Sequence, residues 1–185
     1  MRYGHLEAAF ENLGERGYDH NDVSNATPRY NCIAWAAGEN HRRWWPAAWD
    51  TVTFYWPEAL PREPFGQETL DNFIAAFELL GYRKCRSSSR QKGIEKVAIY
   101  GTAKHVPTHA VRQLESGEWE WTSKCGVLNE DIKHKALFNL TGREYGEVIA
   151  LLKRRRDGKP FLKDAQWHGL RNSFRFLAEC VFSRA

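Results

Sequence analysis

The chain is 185 residues long, 42% apolar and 27% charged, with a formal net charge of +4. That composition excludes a disordered or fibrous chain and fits one water-soluble globule, since two full domains would be cramped in this length. No run reaches the roughly 20 apolar residues of a membrane span, and Met1-Arg2-Tyr3-Gly4-His5 lacks the apolar stretch of a cleaved signal. The expected location is therefore cytoplasmic, or exported without a cleavable signal peptide, with no membrane partner.

Leu6, Ala9, Phe10 and Leu13 recur at helical spacing before Gly14 and predict a short amphipathic helix. Residues 15 to 31 are rich in Asn, Asp, Gly and Pro, a loop that ends at Asn31. Asn31 is an N-cap for a helix holding Cys32, Ile33, Trp35 and Ala36, with Cys32 in its first turn. Between Asn40 and Gly66, Trp44, Trp45, Trp49 and Trp56 alternate with prolines and charges. The pattern predicts an irregular loop held by aromatic packing, whose tryptophans could wall a groove or meet a protein partner. Leu70, Phe73, Ile74, Phe77 and Leu80 mark the next helix, stopped by Gly81.

Four strands are expected after it: Tyr82 to Arg86, Lys96 to Tyr100, His109 to Leu114 and Glu118 to Lys124. Glu115-Ser116-Gly117 joins the last two as a hairpin. Beyond residue 129 the spacing turns helical, with Ile132, Ala136 and Leu137 on one element and Tyr145, Val148, Ile149 and Leu152 on another. Lys153-Arg154-Arg155-Arg156 then sits where cations oppose the negative end of a helix dipole. Asp157-Gly158-Lys159-Pro160 breaks the chain, and Leu170, Phe174, Leu177 and Val181 set out a last amphipathic helix. The expected organisation is one domain over residues 1–160 and a helical extension over 161–185, free to dock on the domain or on a protein partner.

Cys32, Cys85, Cys125 and Cys180 lie far apart with no Cys-x-x-Cys pair, which argues against a zinc ribbon or a redox motif and suits a reducing compartment. Pro107 between His105 and His109 prevents a helix from placing both on one face, so no metal is expected, and no cofactor. The basic clusters read as solvated faces, and nucleic acid is not the expected partner. His134 follows Glu130 by one helical turn and is read as a surface residue with acidic neighbours, its other reading being an alternative base.

Cysteine attacks as its thiolate, and a first-turn position points free backbone amides at the sulfur and at any oxyanion formed beside it. On local sequence alone Cys32 equally suits a small buried residue. The wider order of the chain adds to this. Tyr30-Asn31-Cys32 followed by a small, apolar helix, with Thr108-His109-Ala110-Val111 opening a hairpin strand, resembles the bacterial cell-wall-peptidase branch of the papain-like thiol hydrolases. The Tyr-Asn-Cys-Ile-Ala-Trp-Ala segment, with the later Trp-Thr-Ser-Lys stretch, is similar to a group of uncharacterised bacterial domains.

The resemblance implies an α+β, papain-like fold in which a helix-borne Cys packs on a small antiparallel sheet, with extra C-terminal helices. It implies Cys32 as nucleophile, His109 as general base and Ser123 as the residue orienting the imidazole, where Asn, Asp, Gln or His is usual. Tyr30, Asn31 and Trp35 take the oxyanion or substrate-binding side. The expected function is a cysteine-dependent hydrolase or amidase, whether peptidase, deamidase or acyl transferase, working on a protein or peptide through an acyl-enzyme. Two alternatives stand beside it: an inactive papain-like binding module for a protein or nucleic-acid partner, and a toxin or effector domain with the same chemistry.

Overall fold

The computed structural model describes residues 4–14, 18–19, 26–126 and 130–159. In chain order the elements are α1 (Gly4–Ala9), β1 (Tyr18–Asp19), α2 (Cys32–Ala37), β2 (Arg43–Trp44), β3 (Phe54–Tyr55) and α3 (Leu70–Leu79). They are followed by β4 (Arg83–Lys84), β5 (Ile94–Gly101), β6 (Pro107–Gln113), β7 (Trp121–Cys125), β8 (Glu130–His134), a 3-10 turn (Leu137–Leu140) and β9 (Glu147–Arg155).

Seven strands form one sheet in the order β1-β8-β7-β6-β5-β9-β4, every neighbouring pair antiparallel. The sheet curls, and six of its strands make a half-barrel. Strands β2 and β3 pair separately and in parallel within the aromatic loop.

Side chains alternate across a strand, so neighbouring residues serve opposite faces. Val97, Ile99, Ala110 and Leu152 serve one face and pack against α2, α3, Trp44 and Trp56. Ala98, Tyr100, Val111, Trp121, Cys125 and Ile132 serve the other and meet Leu6, Phe10, Leu13, Leu140 and Tyr145. Each fully buried large side chain, Phe73 or Trp121 for instance, contributes about 1.5–3 kcal/mol through the water it leaves.

The local signals up to residue 126 act as their chemistry dictates. Asn31 caps α2, its side chain accepting from the Ala34 N–H, and Gly38 closes that helix at φ 88°. Thr69 caps α3 in the same way.

The papain-like architecture with extra C-terminal helices is not what forms. The described chain is mostly sheet, and the two helices expected after residue 129 are strands β8 and β9 joined through a 3-10 turn. The reason lies in β9: both of its faces are covered, Leu152 packing in one cluster and Val148 and Leu151 against the other. A strand covered on both sides carries a continuous apolar run, and Val148, Ile149 and Leu152 within it, with Tyr145 just before it, mimic helical spacing. Lys153 to Arg155 are thus strand residues, not a helix end. His134 is a fully buried strand residue rather than a surface one. The helix expected over 161–185 lies outside the described residues.

Candidate active site at the opening between two strands

Strands β6 and β7 are in register only at Arg112↔Thr122 and Gln113↔Trp121. Beyond that point the ladder is not formed, and the Ala110 N–H is left for another acceptor. Helix α2 crosses this opening and brings the Cys32 thiol to it. The backbone amides of Ala110, Ile33 and Cys32 lie near the sulfur and favour its thiolate. Burial outweighs them, together with the Lys124 ammonium, and pushes the thiol up to about 11. The resting sulfur is therefore protonated at neutral pH.

His109 is wholly buried on β6. Its Nε2 shares a hydrogen bond of 2.6 Å with Ser123 Oγ, and its ring lies parallel to Tyr145 with centroids 3.8 Å apart. Burial holds the imidazole well below its usual range, with His134 adding to the shift, so His109 is neutral. Its Nδ1 has no hydrogen-bond partner among the described residues. His109 and Ala110 are adjacent on a strand, so the imidazole leaves the sheet on the face opposite the Ala110 methyl. No hydrogen bond joins thiol and imidazole.

Tyr145 reaches His109 through a close approach that only glycine permits. Gly146 has φ 74°, and a Cβ there would stand 2.0 Å from the Gly101 carbonyl oxygen. The Tyr145 carbonyl accepts from Thr108 Oγ1 at 2.5 Å, tying the segment to β6 beside the imidazole.

A charged cluster occupies the α2 side of the opening. Lys124 Nζ, on a fully buried side chain, stands 3.6 Å from Asp131 Oδ1 and 4.7 Å from the Tyr30 ring centre. The Tyr30 hydroxyl donates to Asp131 Oδ2 at 2.5 Å. Burial pulls Lys124 down and Asp131 up, and their mutual attraction works against both shifts. Asp131 did not register in the sequence as a site residue; its pairing with Lys124 across β7 and β8 is the only signal, and it requires the register.

The structure thus brings Ser123 onto His109 and sets Cys32 against the amide of the next residue. It commits the expected oxyanion residues elsewhere. Tyr30 serves Asp131; Asn31 Oδ1 accepts from Ala34 and Trp44 amides while Nδ2 donates to Trp44 O; Trp35 Nε1 donates to Thr122 Oγ1. The backbone amides around the sulfur are what an oxyanion would meet.

Of the four loop tryptophans, Trp44 and Trp56 are in the core. Trp45 and Trp49 line an apolar cleft of about 510 Å³ with Phe54, Phe65, Pro107 and Thr108, at the start of the His109 strand. Phe65 is 80% exposed there.

A family profile for a domain of unknown function (DUF7689) matches residues 21–153. The chain belongs to the DUF7689 family. Cys32, His109 and Ser123 all fall inside that span, whereas α1, whose Leu6 is buried in the second cluster, falls before it. Neither the curated proteins nor the solved structures include a match to this DUF7689 chain. Among its described residues no group of three or more His, Cys, Asp or Glu could hold a metal ion, and no helix is long and apolar enough to cross a membrane.

Proposed function

We propose that this DUF7689 domain is a cysteine-dependent acyl-transfer enzyme, a hydrolase or amidase acting on the carbonyl carbon of a protein or peptide. The observation that carries the reading is the buried imidazole with one nitrogen fixed on Ser123 and the other, Nδ1, without a partner, one residue from the amide that the thiol engages. An orphaned buried nitrogen costs stability, and a proton-accepting role in the reaction accounts for keeping it.

Thiol and imidazole both rest neutral, so the proton moves as the bond forms. Sulfur attacks the carbonyl carbon, the S–H proton passes to Nδ1 once the imidazole turns through the opening between β6 and β7 to the α2 face, and the carbonyl oxygen becomes an oxyanion facing the backbone amides near the helix start. Collapse expels the leaving amine or alcohol, which takes the proton back from Nδ1. The thioester left on Cys32 then passes its acyl group to water or to another nucleophile. The apolar cleft of Trp45, Trp49 and Phe65 suits an apolar substrate side chain on the approach.

The test is transfer of an acyl group from a small thioester to Cys32 at neutral pH, followed by mass spectrometry. Removing the base as His109→Gln is expected to slow labelling by about 10²-fold or more, the usual worth of general-base catalysis. Equal rates in the two proteins would sink the reading. A binding module without chemistry is the second reading, favoured by the 7% exposure of Cys32 and the complete burial of His109. It expects slow labelling indifferent to His109 and climbing only as pH nears the thiol's own value of about 11.

A further inference from the structure

A groove of about 580 Å³ lies far along the sheet from the thiol, where the loop after β4 folds beside β5 and β9. Arg83, Lys84, Arg86, Arg90, Lys96 and Lys153 line it, with the hydroxyl-bearing Ser87 and Ser89 between them. No carboxylate is among the described residues lining it.

The register sets three of these cations side by side. Arg83 lies opposite Lys153 on β4 and β9, and Lys153 lies opposite Lys96 on β9 and β5, so three cations stand in one row across three strands. At the neighbouring positions of these strands Glu95 takes Arg154 at 2.7 Å and Arg156 at 3.0 Å. In the row itself Lys96 is only 3% exposed, and its ammonium donates to the Ser87 and Ser89 carbonyls. Those carbonyls carry only partial charge, so the loop is held over a buried cation that it does not neutralise. Arg90 pins the same loop to the hairpin turn by donating to the Gly117 and Trp119 carbonyls. Arg83 and Lys153 have further contacts of their own.

We infer that this groove binds a small ligand presenting two or more adjacent phosphate groups, held by its phosphates alone. Lysine and arginine supply the charge, and serine hydroxyls bond phosphate oxygens readily. Among the described residues no aromatic side chain lines the groove, so none of them would stack on a base there, which argues against a single-stranded nucleic acid. The volume falls in the range of small-molecule sites, about 300–1,000 Å³.

Titration calorimetry of the full chain with inorganic tripolyphosphate at low salt tests this. Wild type is expected to bind, with affinity falling as salt rises. Replacing two exposed or half-exposed cations together, Lys84→Gln with Arg86→Gln, is expected to weaken binding at least about tenfold, since neither side chain helps fill the core. Cys32→Ala is expected to bind as wild type does, separating this site from the proposed acyl chemistry. Absence of wild-type binding, or full affinity in the double variant, overturns the inference. So does binding of a duplex of about 16 base pairs, a typical double-stranded site length, in the absence of tripolyphosphate binding, because the surface would then be an extended backbone contact.

Discussion

Two buried polar clusters flank the opening between β6 and β7, and they meet the same low-dielectric interior in opposite ways. Lys124, Asp131 and Tyr30 form a network of opposite charges, in which each ion compensates the other's lost hydration. His109, Ser123 and Tyr145 are neutral, and one nitrogen is left over. The difference assigns roles. The ion pair compensates its charges internally, so it holds α2 and the sheet together, whereas a neutral imidazole with a free nitrogen can still accept a proton.

Breaking the charged cluster is expected to cost most. Asp131→Ala takes the carboxylate from a buried ammonium and is expected to lower stability by about 3–5 kcal/mol, read from the urea midpoint. A loss under 1 kcal/mol would mean that water reaches Lys124 and that the contrast between the clusters is false.

Acid is expected to act on the neutral side. Burial pushes His134 down to about 4 from its usual 6.5, and holds His109 low in the same direction. The unfolded chain therefore takes up protons before the folded one. The stability from keeping His134 neutral is complete above pH 6.5 and is lost as pH falls toward 4, on the order of 3 kcal/mol in all. Denaturant midpoints across that window should show a shallower slope in His134→Gln than in wild type. Parallel slopes would place His134 in contact with solvent.

The smallest effect sharpens the picture of the imidazole. Ser123→Ala removes the partner of Nε2 and is expected to cost about 1–2 kcal/mol, the usual penalty for an unpaired buried group. It should also slow acylation of Cys32 by loosening the ring. A stability loss with unchanged acylation would make Ser123 a packing residue only.

Much of the region before residue 126 was legible because its signals are local. A cap such as Asn31 acts within three residues, and the α3 stripe needs only a period of 3.6. Hairpin geometry brings Thr122, Ser123 or Lys124 to the level of His109, and the contact falls to Ser123 at a place that the paired register does not reach. Strands β8 and β9 were not legible: β9 is covered on both faces, which erases the alternation that identifies a strand, and β8 buries Asp131 and His134, polar residues that read as surface. The error carried a consequence: with those residues taken as helices the expected fold gained helices in place of two sheet strands, and His134 moved from the interior to the surface.

The residues by themselves determined where α2 and α3 lie, which cysteine opens the first of them, and which histidine lies on a hairpin strand. Only the tertiary structure decided that the sheet has seven strands, that Lys124 and Asp131 meet inside it, and that Arg83, Lys153 and Lys96 share a row. The physical reason is range. Capping and helical periodicity are settled by neighbours along the chain, whereas burial of both faces, strand register and the protonation of enclosed groups depend on residues brought together from far apart in sequence.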